Sequence, residues 1–128
     1  MIDRLVRTRV ALVVGDLRAS RRFYVEGLDL PVVGEFEDHE GWWGLILGLP
    51  DASHQLELTW HRDASPSSGG PDDLLVLGFA DRAAALAARA RVPEADETRP
   101  DNPWWWTRGV TVTDPDGHRV VLHWVDPD

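Results

Sequence analysis

One pattern occurs twice in this chain: an apolar, strand-like run that ends at an aspartate opening a helical stretch. Leu5–Val14 is rich in Val and Leu with no breaker, and it passes through Gly15-Asp16 into the amphipathic stretch Arg18–Leu28. Leu74–Ala80 passes in the same way into Asp81 and an alanine-rich stretch reaching about Arg91. The two aspartates stand 65 residues apart in a chain of 128, so the order of elements repeats at close to half-length. Such a repeat predicts a duplicated strand–helix–three-strand module, and therefore an α+β fold in which neither module is complete without its sheet.

The remaining segments fill that scheme. Pro31–Phe36, Trp43–Leu49 and Gln55–His61 are short apolar runs separated by Gly, Asp and Pro, the pattern of an antiparallel sheet. Residues 62–73 have the Ser, Gly and Pro content of a linker. They divide one domain into a first module at about 1–62 and a second at about 74–128. Val110–Thr113 and Arg119–Trp124 read as strands flanking the turn Asp114-Pro115-Asp116-Gly117. In the first helix, Asp16 or Ser20 supplies the cap and Phe23 and Tyr24 face the core. Gly27 ends it at a position expected to be left-handed.

Composition narrows the chemistry. The chain has no cysteine, which removes disulfides, thiolate nucleophiles and thiolate metal sites. All 13 basic residues are arginine, so no lysine is present for a Schiff base or a phosphate loop. The five serines, at 20, 53, 65, 67 and 68, include none in a nucleophile elbow. A net charge of −9 repels phosphate backbones and anionic lipid, which argues against nucleic acid and membrane partners and suits a cationic small molecule. No apolar run approaches the ~20 residues of a membrane span. Met1–Arg7 shows no leader pattern, so a cytoplasmic protein is expected.

Val14-Gly15-Asp16-Leu17-Arg18-Ala19-Ser20-Arg21-Arg22-Phe23-Tyr24 with Gly27-Leu28, taken with Asp114-Pro115-Asp116-Gly117-His118-Arg119-Val120-Val121-Leu122, resembles the vicinal oxygen chelate superfamily. This superfamily groups glyoxalase I, extradiol dioxygenases, fosfomycin-modifying enzymes and bleomycin-resistance proteins. The resemblance spans nearly the whole chain. It implies two βαβββ modules, the glyoxalase/bleomycin-resistance/dioxygenase fold, whose curled mixed sheets form a cup around a small-molecule site, and it implies a homodimer. Asn102-Pro103-Trp104-Trp105 looks like a less characterised branch.

Metal-dependent members place ligands at four positions, which the resemblance carries onto Arg9, Glu57, Leu74 and Val121. Glu57, within Leu56-Glu57-Leu58-Thr59, alone keeps a donor; a guanidinium has no lone pair to offer, and the other two are aliphatic. A divalent ion held by one carboxylate does not stay bound, so no metal cofactor is expected. Glu57 and His61 lie about 13 Å apart along one strand and do not chelate together. His123, one step beyond Val121 on the same face, is the residue through which a displaced metal site could be rebuilt. His39, His54, His61 and His118 read as surface or turn residues.

Arg9 and Glu57 are expected to form a bidentate ion pair. Two roles stay open for it: anchoring an anionic or carbonyl group (or, through Glu57, a cation), or simply holding the cup together. Seven tryptophans supply the other unusual feature, with Trp60, Trp104 and Trp106 as candidate ligand contacts. On an extended segment Trp104 and Trp106 point one way and Trp105 the other. That wall suits a planar or cationic ligand, or else fills a core and a dimer seam. The ligand-binding set is thus Arg9, Glu57, Leu74, Val121, His123, Trp60, Trp104 and Trp106. Glu57 is the candidate acid/base, with Arg9 or His123 as its partner, should the chain be catalytic. The function expected is metal-free binding of a small molecule, of the drug-sequestering kind. A metal-dependent lyase, isomerase or dioxygenase with displaced ligands and an inert scaffold stand as alternatives.

Overall fold

In each half of the chain the first strand returns to lie parallel beside the last strand of its module. The computed structural model describes residues 4–125; Met1–Asp3, the start of the segment read above for a leader, lies outside the described residues. The first unit, up to Pro66, contains β1 (Thr8–Val13), α1 (Leu17–Arg21), β2 (Val32–His39), β3 (Trp42–Gly48) and β4 (His54–Trp60). Its sheet runs β1-β4-β3-β2, with β1 parallel to β4 and the other pairs antiparallel. The second unit, from Ser67, contains β5 (Leu74–Phe79), α2 (Arg82–Ala90), β6 (Glu97–Thr98), β7 (Gly109–Thr113) and β8 (Arg119–Trp124). It repeats the order as β5-β8-β7-β6, again with the first strand parallel to the last. Both sheets are open, and both units have the βαβββ order expected from the repeat.

Alternation along the strands decides which face is core. In the first unit Leu45, Leu47, Leu56 and Leu58 share a face with Val14 and are almost entirely buried, together with Phe23, Tyr24 and Leu28 from the helical segment. Each such side chain removed from water contributes about 1.5–3 kcal/mol. In the second, Val112, Val120 and Leu122 are buried against Ala85, Ala88 and Val92, whose spacing puts one small-residue stripe on the sheet. Asp16 caps α1 through bonds from the amides of Arg18 and Ala19, and Asp81 caps α2 through Ala84. Ser20, the other candidate cap, is buried instead.

Two expectations of local structure are corrected. The stretch Arg18–Leu28 is not one α-helix: after Arg21 it widens into a π-helical segment, Arg22–Gly27, in which the Leu28 amide bonds to the Phe23 carbonyl five residues back. The wider turn lets the consecutive rings of Phe23 and Tyr24 both reach the core, where they meet edge to face with centroids 4.8 Å apart. The left-handed residue is Asp29, at φ 62°, not Gly27. The chain turns only after the carbonyl of Tyr24 has bonded to the Leu30 amide.

Gly44 and Gly41 fix the hairpin of β2 and β3. Phe36 lies across the sheet from Gly44, and a Cβ there would fall within the Phe36 ring. The ring thus covers the hole that the missing side chain leaves. Gly41 has φ 89°, and a Cβ on it would stand 2.8 Å from His61 Nε2. Between β3 and β4, Asp51 closes a turn by accepting from the hydroxyl and amide of Ser53 at 2.5 and 2.8 Å. The hydroxyl bond above all, with help from the amide and the nearby His54, holds its carboxyl below the usual value.

Gly44→Ala is expected to destabilise the protein by about 1–3 kcal/mol, and Phe36→Ala in the same background to recover part of that loss. Denaturant unfolding of the two single variants and the double variant checks the coupling; strictly additive losses would contradict it. Ser53→Ala should raise the Asp51 pKa toward the ordinary carboxylate value, read by carboxyl-carbon NMR titration. A lowered folded-state pKa adds stability above the unfolded value and loses it as pH falls through the folded one, so the variant should lose stability at neutral pH rather than in acid.

Candidate functional site

Arg9 is placed by β1 and Gln55 and Glu57 by β4, on the sheet face opposite the buried leucines. Arg9 registers with Gln55, and Ala11 with Glu57, so the three side chains follow one another along the parallel seam. Arg9 Nε donates to Gln55 Oε1 at 2.8 Å, and Nη1 donates to Glu57 Oε1 at 2.9 Å. The expected bidentate pair is therefore not what forms. The guanidinium bridges two residues, because the register offsets Glu57 by one strand step from the position that a fork would need. Gln55 is itself fixed by donating from Nε2 to the Ala52 carbonyl at 2.9 Å. Glu57 keeps 16% of its side-chain area exposed and Arg9 keeps 37%, so the pair is open to solvent on the arginine side. Gln55 was not among the candidate residues. Its place on the Glu57 face follows from alternation, but its partnership with Arg9 depends on the parallel register.

The second unit repeats the register with different chemistry. Leu74 pairs with Arg119 as Arg9 does with Gln55, and Val76 pairs with Val121 as Ala11 does with Glu57. Leu74 and Val121 thus stand at the positions matching Arg9 and Glu57; Leu74 is half-buried and Val121 is wholly buried. His123 lies two residues along the same face, and its Nδ1 is 2.8 Å from the Arg108 carbonyl. A carbonyl only accepts, so Nδ1 carries the proton and Nε2 of the neutral ring keeps its lone pair.

The tryptophan run is not extended. Pro103–Trp105 forms a 3₁₀ turn capped by the Asn102 side chain, which accepts from the Trp104 amide at 3.1 Å. Proline at the first helical position pre-sets that turn. Trp104 and Trp106 still end up exposed, at 48% and 43%, with Trp105 half-buried. The rings of Trp104 and Trp105 meet edge to face at 4.7 Å, and His123 lies 5.5 Å from Trp105. Arginines already occupy the indole faces: Arg108 sits 4.1 Å from the Trp104 ring and Arg99 sits 4.0 Å from the Trp106 ring. This pairing was not read from the sequence, although Arg108 follows Trp104 at helical spacing.

Trp60 does not join Arg9 and Glu57. It registers with Trp43 across β3 and β4, and both line hollows with the Asp16–Arg18 segment on the helix side of the sheet. The alternation that puts Glu57 on one face puts Trp60 on the other.

The four positions that hold a divalent ion in metal-dependent members do not fit one here. Arg9, Leu74 and Val121 have no donor, and Glu57 accepts from Arg9. Asp114, Asp116 and His118 form a separate group whose ligand-type atoms lie within 4.8 Å of one another. Those bonds build the turn before β8: Asp114 accepts from the amides of Asp116 and His118, and its other oxygen is 3.0 Å from His118 Nδ1. His118 is accordingly a half-buried residue of that turn, in keeping with the turn half of the expectation. Among the described residues no helix is long and apolar enough to cross a bilayer.

Residues 8–59 match the model of the YycE-like N-terminal domain, and residues 72–124 match that of the YycE-like C-terminal domain. The chain is 40% identical over 117 residues to the YycE protein of Bacillus subtilis (strain 168), covering 89% of this chain and 84% of that protein. It is similar to the crystal structure of Bacillus subtilis YycE, described as a protein of unknown function, at TM-score 0.85 and 36% identity over 91% of this chain and 88% of that one. The glyoxalase I of Leishmania major matches at TM-score 0.65 and 25% identity over 94% and 85% of the two chains. TnmS3, an antibiotic binding protein from Streptomyces sp. CB03234, shares the fold at TM-score 0.66 and 23% identity over 92% and 93%. The two βαβββ modules are those of the glyoxalase fold, and the chain belongs to the YycE-like family within the vicinal oxygen chelate superfamily.

Proposed function

We propose that this chain is a metal-free small-molecule binding protein that captures an oxygen-bearing organic ligand through Arg9. The observation that carries this reading is the guanidinium standing where metal-dependent members place a ligand, held by Gln55 and Glu57 through two of its five N–H groups. Gln55 and Glu57 orient the group, and its remaining donors match a carboxylate, phosphonate or carbonyl oxygen. Glu57 is then a positioning residue, since proton transfer through it would give up the charge-assisted bond to Arg9. The arginines stacked on Trp104 and Trp106 turn that platform away from cations and toward planar anionic groups as well. Drug sequestration is the form of this activity proposed here by analogy of fold alone, an antibiotic binding protein being built on the same scaffold. A homodimer belongs to the same reading. It is supported by apolar side chains left open on the sheets, Val10 at 55% and Val76 at 37%, and sedimentation velocity on dilute protein tests it.

Calorimetric titration with a panel of planar aromatic carboxylates and phosphonates tests the binding claim. At least one compound should bind saturably, and Arg9→Met should weaken it roughly tenfold or more, the scale of one charged hydrogen bond, with Arg9→Lys between. Unchanged affinity in Arg9→Met would remove Arg9 from the site. Elemental analysis of untagged protein should find far less than one transition metal per chain; near-stoichiometric zinc, nickel, manganese or iron would overturn the metal-free reading.

A further inference from the structure

Trp43 and Trp60 face each other across β3 and β4 at the end of the first sheet, on the helix side and so away from Arg9 and Glu57. Further along the same face their neighbours Leu45 and Leu58 are almost wholly buried, yet Trp43 is 38% exposed. The two indoles form a wall shared by two hollows of about 420 and 430 Å³. The first hollow is lined by Asp38, Glu40 and Asp63 against one cation, Arg62. Arg62 lies 3.8 Å from Asp63, which leaves Asp38 and Glu40 making no ion pair among the described residues. The charged groups of the second hollow, Asp16 and Arg18, balance, and the Asp16 carboxylate is committed to capping α1.

A contrast within the molecule gives this wall its meaning. Arg108, Arg99 and Arg82 sit over the rings of Trp104, Trp106 and Trp124, at 4.1, 4.0 and 5.4 Å. Among the described residues no arginine sits over Trp43 or Trp60. These two indoles therefore line their hollows without a stacked arginine, and they do so beside an excess of negative charge. A hydrated metal ion gains little from an aromatic wall, and an anion is repelled by the carboxylates. An organic cation with diffuse charge gains from both.

We propose that the Trp43–Trp60 wall with Asp38 and Glu40 is a second binding site, for a small organic cation of the quaternary ammonium or protonated tertiary amine class. It lies on the opposite sheet face from Arg9 and does not depend on the function proposed for that residue. The negative charge of the whole chain adds a long-range attraction that weakens with salt.

Choline and its uncharged carbon analogue 3,3-dimethylbutan-1-ol, titrated into the full chain by calorimetry and followed by indole N–H NMR shifts, test the site. Choline should bind saturably, about tenfold more tightly than the alcohol, and shift two indole resonances that vanish in Trp43→Leu and Trp60→Leu. The surface pair Asp38→Asn/Glu40→Gln, which leaves the indoles and the core untouched, should weaken choline by roughly three- to tenfold and flatten its salt dependence. Arg9→Met should leave choline affinity unchanged. Equal affinity for choline and the alcohol, no saturable binding of choline, or loss in Arg9→Met with retention in the Asp38→Asn/Glu40→Gln protein would each overturn the proposal.

Discussion

Parallel pairing of the first and last strands in each module is the constraint on which the rest of the structure depends. It forces a crossover through the helix, which covers one sheet face. It also fixes which residues of β1 and β4 are neighbours. Arg9 meets Gln55 and Glu57 only in this register; a slip by one residue would send the guanidinium to the leucine face. The same register in the second unit aligns Leu74 and Val76 with Arg119 and Val121. The duplication has thus kept its geometry while the chemistry of the two halves has diverged.

The large elements were legible because their signals are local. An aspartate ahead of each helix, alternating apolar residues in β4 and the Asp-Pro-Asp-Gly turn each act within a few residues, and the structure places strands and caps at those points. What was not legible depends on distant partners. The π-helical segment after Arg21 resolves a conflict between helical period and the need to bury Phe23 and Tyr24 together, which no propensity scale records. The two-residue strand β6 exists only because β7 lies beside it. The bridging of Arg9 to Gln55 as well as Glu57 required a register that sequence spacing alone does not contain.

The tryptophans show how one residue type divides into different physical roles. Trp124 is a core residue at 7% exposure, and the proline-initiated turn presents Trp104 and Trp106 to solvent beneath their own arginines. The sequence reading grouped Trp60 with Trp104 and Trp106 because all are aromatic. Strand alternation in β4 puts Trp60 on the face opposite Glu57, as the sequence pattern of that strand already implies, and the register of β3 sets it beside Trp43.

Charge follows the same division. A chain at −9 with every cation an arginine has to place its guanidinium groups where planar charge is useful, and the structure uses them on indole rings and on the Gln55–Glu57 seam. Each stacked arginine cancels the attraction of one aromatic face for external cations while keeping N–H donors available around its rim. Within the first unit Arg9, held by Gln55 and Glu57, is itself a source of donors on its sheet face, even though the molecule as a whole is acidic. Trp43 and Trp60, left without such a partner beside Asp38 and Glu40, keep the opposite preference. Opposite ligand preferences on the two faces of one sheet need no change of fold, because alternation along the strands separates the two sets of side chains by the thickness of the sheet.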